Sequence, residues 1–63
     1  MSIGENIKKL RKERNLTQQE LGDKVGVTQA MIGQIERGSK TPTMVLGKDI
    51  AEAFEVDVAE LYK

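Results

Sequence analysis

The stretch Gln18 to Arg37, QQELGDKVGVTQAMIGQIER, constrains the fold more than any other part of the chain. It reads as two short helices joined by a tight turn at Gly26. Apolar residues fall at Leu21 and Val25 before the turn, and at Val27, Ile32 and Ile35 after it. Within each helix the spacing is three or four residues, so each helix contributes one inward stripe. Gly22 is the small residue of the first helix, at the place where a crossing helix must come close. Gly26 sits where the chain turns, and only glycine takes positive φ there without steric cost. The second helix keeps amides, small groups and a guanidinium for its other face: Gln29, Ala30, Gly33, Gln34 and Arg37. Such a face suits the floor of a DNA major groove.

These residues resemble the helix-turn-helix of the phage lambda-type repressor and Cro superfamily, also called the Xre family. The likeness rests on Gln18 as the polar opening residue and on the apolar–small pair Leu21–Gly22. It rests equally on the Val25–Gly26–Val27 turn and on Ile32 and Ile35 as inward residues. The wider pattern runs from Leu16 to Pro42, with weaker similarity toward both ends. The resemblance implies an all-α, five-helix, lambda repressor-like domain whose second and third helices read DNA. It also implies a structural ion pair, in which a partly buried Arg11 on helix 1 bridges Glu36 near the end of helix 3. In such proteins the residue matching Gln18 bonds phosphate and braces the residue matching Gln29.

The flanking sequence supplies local signals of its own. Ser2 to Glu5 is a capping box, and helix 1 is expected to run from there to about Asn15. Its stripe is Ile3, Ile7 and Leu10; Arg11 borders the buried side, and Asn15 can close the helix in the left-handed conformation. Leu16 follows as a core plug. Thr17 to Glu20 is a second capping box, starting a helix that ends near Val25. Thr28 is the expected cap of helix 3, with Gly38 as its stop. After the loop Gly38 to Pro42, Thr43 caps helix 4, about Met44 to Glu55, with Met44, Leu46, Ile50, Ala51 and Phe54 inward. Asp57 to Glu60 has capping-box spacing and opens a short helix 5 anchored by Leu61. Two positions depart from the family pattern. Gly47 stands where a large apolar residue is usual, and Glu55 stands where helix 4 usually closes on glycine.

Sixty-three residues make a single domain, 1–63, with a modest core. There is no cysteine and no histidine, which removes disulfides, thiolate metal sites and the usual general base. Acid pairs such as Glu20 with Asp23 and Glu52 with Glu55 have helical surface spacing, and no glycine-rich phosphate loop follows a strand. An enzyme is therefore not expected, nor a cofactor, a metal or a small-molecule substrate. No apolar run reaches a membrane span and no signal-peptide pattern opens the chain, so the expected location is cytoplasmic, on the nucleoid. Net charge is zero but polarised: residues 1–40 hold eight basic and five acidic side chains (+3), residues 41–63 two and five (−3). The proposed reader lies in the basic part, whose field favours phosphate.

Gln29 and Gln34 are the candidate base readers, because a glutamine amide donates and accepts in one plane toward adenine. Thr28 and Ala30 are placed to touch a thymine methyl, and Gly33 to allow close approach. Thr17 and Gln18, at a helix N-terminus, suit a phosphate oxygen. Arg37, Lys40, Thr41 and Thr43 are further phosphate candidates. Val56, Val58 and Tyr62 are more apolar than a terminal surface helix needs and are the expected dimer contact. The leading expectation is a sequence-specific, double-stranded-DNA-binding transcriptional regulator. It is expected to repress, and to bind as a homodimer that forms on DNA, with helix 3 in the major groove. The alternatives are the DNA-binding antitoxin of a toxin–antitoxin pair and a protein-interaction adaptor of the same fold.

Overall fold

Side-chain caps decide where each helix starts. The computed structural model describes residues 2–63. Helix α1 spans Ile3–Glu13, and its box is closed in both directions: Ser2 Oγ accepts from the Glu5 N–H at 3.2 Å, and the Ser2 N–H donates to Glu5 Oε1 at 3.1 Å. Helix α2, Gln18–Val25, starts the same way on Thr17 and Glu20. Thr28 caps α3, Gln29–Glu36, and Thr43 caps α4, Met44–Phe54. Each cap satisfies an N–H that the first helical turn leaves without an internal partner.

The helix ends follow one pattern with three different residues. α1 stops because Asn15 turns left-handed (φ 56°), which lets the Leu16 N–H reach back to the Arg11 carbonyl at 3.1 Å. Gly26 (φ 79°) does the same after α2, with Val27 bonded to the Gly22 carbonyl at 3.0 Å. After α4 the left-handed residue is Glu55 (φ 58°), a conformation that costs a side chain more than it costs glycine.

The expected fifth α-helix is instead a single stretch of 3-10 helix, Val58–Tyr62. Asp57 Oδ1 takes the N–H of Ala59, only two residues on, and Glu60 pairs with Lys63 at 2.7 Å rather than reaching back to close a capping box. Four α-helices and this turn make up the all-helical fold of the described residues.

Ile7, Leu21, Ile32, Ile35, Ile50, Ala51, Phe54 and Leu61 form the core. Helix α2 packs on α3 and α4, and α1 packs on α3 and the terminal turn. Met44, expected inward, is 77% exposed: in the first turn of α4 the inward position falls to half-buried Leu46 instead. Two contacts are backbone on backbone. A methyl at Gly22 would lie 2.6 Å from the Val27 carbonyl oxygen, so the small residue is what lets the turn fold back on α2. A methyl at Gly4 would overlap the Ile35 carbonyl and sit 3.0 Å from that of Glu36, so α1 rests directly on the end of α3.

Candidate nucleic-acid interface

The turn at Gly26 leaves the first residues of α2 and α3 close together, although they lie eleven positions apart. Gln18 and Gln29 are those first residues. Gln29 Nε2 donates to Gln18 Oε1 at 2.6 Å, and Gln18 Nε2 donates to Glu36 Oε1 at 3.0 Å. Glu36, the last residue of α3, is gripped from α1. Arg11 Nε donates to its Oε2 at 2.6 Å and Nη2 to its Oε1 at 3.0 Å, while Nη1 reaches the Leu16 carbonyl at 2.7 Å. The pair is buried, with side-chain exposures of 9% for Arg11 and 3% for Glu36. No buried side-chain polar atom among the described residues lacks a hydrogen bond.

Burial pushes the Glu36 carboxyl up, but hydrogen bonds from Arg11 and Gln18 and the charges of Arg11 and Lys8 hold it below the usual carboxylate range. The Arg11 guanidinium is raised, chiefly by its hydrogen bond to Glu36. Both groups are therefore charged at neutral pH, and Glu36 offers acceptors only.

Around this relay the remaining candidate residues sort by exposure. Thr28, Gln29 and Ala30 form an exposed first turn of α3, and Thr17 is exposed beside Gln18. Gln34 is half-buried. Arg37, Lys40, Thr41 and Thr43 are exposed along the end of α3 and the loop that follows. Gly33, expected on the open face, is buried instead. The Gln18 amide and the Arg37 guanidinium cover it, with Arg37 Nη1 3.2 Å from where a methyl would stand. Its role is thus to let those two polar groups lie flat across α3.

The apolar residues expected to meet a second copy are split by the structure. Val56 and Val58 pack half-buried against this chain's own core, because the tight terminal turn draws them in. Tyr62 remains 56% exposed, as are Met44 (77%) and Val45 (70%), two exposed apolar side chains that sequence reasoning did not place on the surface. The other omission is the bond from Gln18 to Glu36, which spans eighteen positions and has no local signal. No group of three or more His, Cys, Asp or Glu is placed to hold a metal among the described residues, and no helix there is long and apolar enough to cross a membrane.

The family HTH_3, helix-turn-helix, matches residues 7–61. The chain belongs to the HTH_3 family. Members of this family are DNA-binding transcriptional regulators, not enzymes. An uncharacterized HTH-type transcriptional regulator, y4dJ, from Sinorhizobium fredii is 36% identical over 59 residues, covering 94% of this chain and 77% of that protein. The immunity repressor protein of Bacillus phage phi105 is 33% identical over 61 residues, covering 97% of this chain and 42% of the repressor. Among solved structures, the P22 c2 repressor in complex with synthetic operator 9T superposes with a TM-score of 0.94 at 30% identity, covering 100% of this chain and 96% of that one. SinR, described as the master regulator for biofilm formation and solved in complex with DNA, gives 0.87 at 33% identity, covering 94% and 95%.

Proposed function

We propose that this HTH_3 domain represses transcription by binding a two-fold DNA operator as a homodimer, with α3 of each copy in the major groove. The observation that carries this reading is the exposed amide of Gln29, held by Gln18 at 2.6 Å on the first turn of α3. A planar amide with one free donor and one free acceptor matches adenine N7 and N6 in the major groove. Thr28 and Ala30 flank it with groups that suit a thymine methyl, and Gln34 follows further along α3. Thr17 and Gln18, at the positive end of α2, take a phosphate oxygen. Arg37, Lys40, Thr41 and Thr43 take others and set register rather than sequence. Similarity to the phage phi105 immunity repressor and to the operator-bound P22 c2 repressor supports the repressor assignment.

Tyr62, Met44 and Val45 are the proposed contact with the second copy, with Val56 and Val58 at its inner edge. Reading helices of a two-fold dimer sit about 34–36 Å apart, one turn of duplex. The domain measures 24 × 23 × 21 Å, so two abutting copies meet that spacing only with their α3 helices displaced outward from the axis.

Selection of bound duplexes from a random library, at stated salt, tests the reading. Gln29→Ala should lose about 1–3 kcal/mol on the selected operator and little on unrelated duplex. Lys40→Ala should weaken all duplexes alike and lower the salt slope by about one unit. If Gln29→Ala keeps the wild-type ratio of operator to random binding, Gln29 is not the base reader.

A further inference from the structure

We propose that Glu36, a residue that never faces the groove, is a positioning residue for base specificity: its carboxylate fixes which way round the Gln29 amide is presented to the DNA. The inference rests on the reading of Gln29 as the base contact. A primary amide is ambiguous, because its oxygen and nitrogen ends have nearly the same shape. A rotation of the side-chain amide by half a turn exchanges donor and acceptor. Against adenine the two orders are not equivalent. One order brings N–H to N7 and oxygen to the N6 amino group; the other sets oxygen against N7 and N–H against N–H.

The relay removes this ambiguity step by step. Ionised Glu36 only accepts, so Gln18 must turn its NH2 toward it, at 3.0 Å. The Gln18 oxygen is then left facing Gln29, whose own NH2 must donate, at 2.6 Å. One N–H of Gln29 is consumed. The other N–H and the oxygen are left to solvent in one fixed order. Arg11 cannot set this direction by itself, since its guanidinium bonds Glu36 and the Leu16 carbonyl and neither glutamine. Its part is to hold the carboxylate ionised and still. The polarity of the reader is thus written by one charge at the far end of α3, two hydrogen bonds away.

The test compares base preference, not stability. Arg11→Met combined with Glu36→Leu replaces the ion pair by apolar groups and leaves net charge unchanged. Swaps of a buried pair for apolar residues of similar volume generally leave a fold intact. The double variant, checked for a cooperative melt, should lose about threefold to tenfold of the adenine preference at the operator position that Gln29→Ala abolishes, as expected for a side chain that must now be oriented on binding. Gln18→Met, which cuts the relay but keeps the Arg11–Glu36 pair, should lose preference at the same position. It also carries the test if the double variant fails to fold. A folded relay variant that retains the wild-type adenine preference, while Gln29→Ala loses it, overturns the role of Glu36 alone. Wild-type preference in Gln29→Ala itself overturns the base-reader assignment and this inference with it.

Discussion

The two ends of this small domain are held by different physics. On the side proposed to read DNA, α3 is fixed by directional contacts at both ends. Gln29 is bonded to Gln18 at its start, Glu36 to Arg11 and Gln18 at its finish, and the Gly4 backbone presses on its last carbonyls. On the C-terminal side, α4 and the terminal turn are held mainly by nondirectional burial of Ile50, Phe54 and Leu61. Two polar ties from α1 and its end supplement that burial: Asn6 Nδ2 donates to the Leu61 and Lys63 carbonyls at 2.8 and 3.0 Å, and Arg14 Nε donates to the Phe54 carbonyl at 3.0 Å. That side also tolerates a left-handed Glu55 and leaves Met44, Val45 and Tyr62 in solvent. The difference teaches that orientation is concentrated on the side proposed to contact bases, where a few ångströms matter, whereas apolar packing suffices on the side proposed to meet a second copy.

The largest expected effect breaks the reading side. Glu36→Ala strands the buried Arg11 charge and should cost roughly 3–5 kcal/mol in urea unfolding. The same carboxyl gives a pH signature. Its folded pKa lies below the ordinary 4.5, so its contribution is complete above that value and is lost as pH falls through the lowered folded value. Unfolding measured from neutrality into acid should show that loss in the wild type and a shallower one in Glu36→Ala.

Next comes a pair of glycines, one on each side. Gly4→Ala drives a methyl into the Ile35 and Glu36 carbonyls and should destabilise by about 1–3 kcal/mol. Because α3 must then shift, operator affinity should fall with it. Gly47→Ala should do the opposite. The nearest atom to its methyl is the Tyr62 hydroxyl at 3.5 Å, an ordinary contact, so the gain in helix propensity should stabilise by up to about 1 kcal/mol. A melting temperature that falls in Gly47→Ala would show that the C-terminal side is as tightly built as the reading side. Between these two lies Tyr62→Ser. It should leave the monomer's unfolding nearly unchanged and weaken binding to a two-half-site operator by about 1 kcal/mol, with single half-sites unaffected. Equal weakening on both kinds of site would place the second-copy contact elsewhere.

Much of this was legible in the residues themselves. The capping serine and threonines, Gly26 and the left-handed Asn15 act over two to five positions, so their hydrogen bonds form wherever the chain folds locally. The inward stripes of α1 to α3 follow from helical periodicity alone. The terminal turn was less legible, because Asp57 and Glu60 have the spacing of a capping box while their side chains take other partners, Ala59 and Lys63. Candidate DNA contacts could be named by type, since amides and cations on a helix face are visible in sequence.

Tertiary structure decided the rest. That Gly33 is buried under Gln18 and Arg37, that Met44 stands in solvent, and that Gly4 is a point of helix contact all depend on how helices cross. The bond from Gln18 to Glu36 joins the start of α2 to the end of α3, at a carboxylate that Arg11 of α1 holds in place. Sequence by itself determined where helices begin, end and turn, because those interactions span a few residues of backbone. Only the packed structure decided which way the Gln18 and Gln29 amides are turned, because that depends on three helices meeting at one carboxylate.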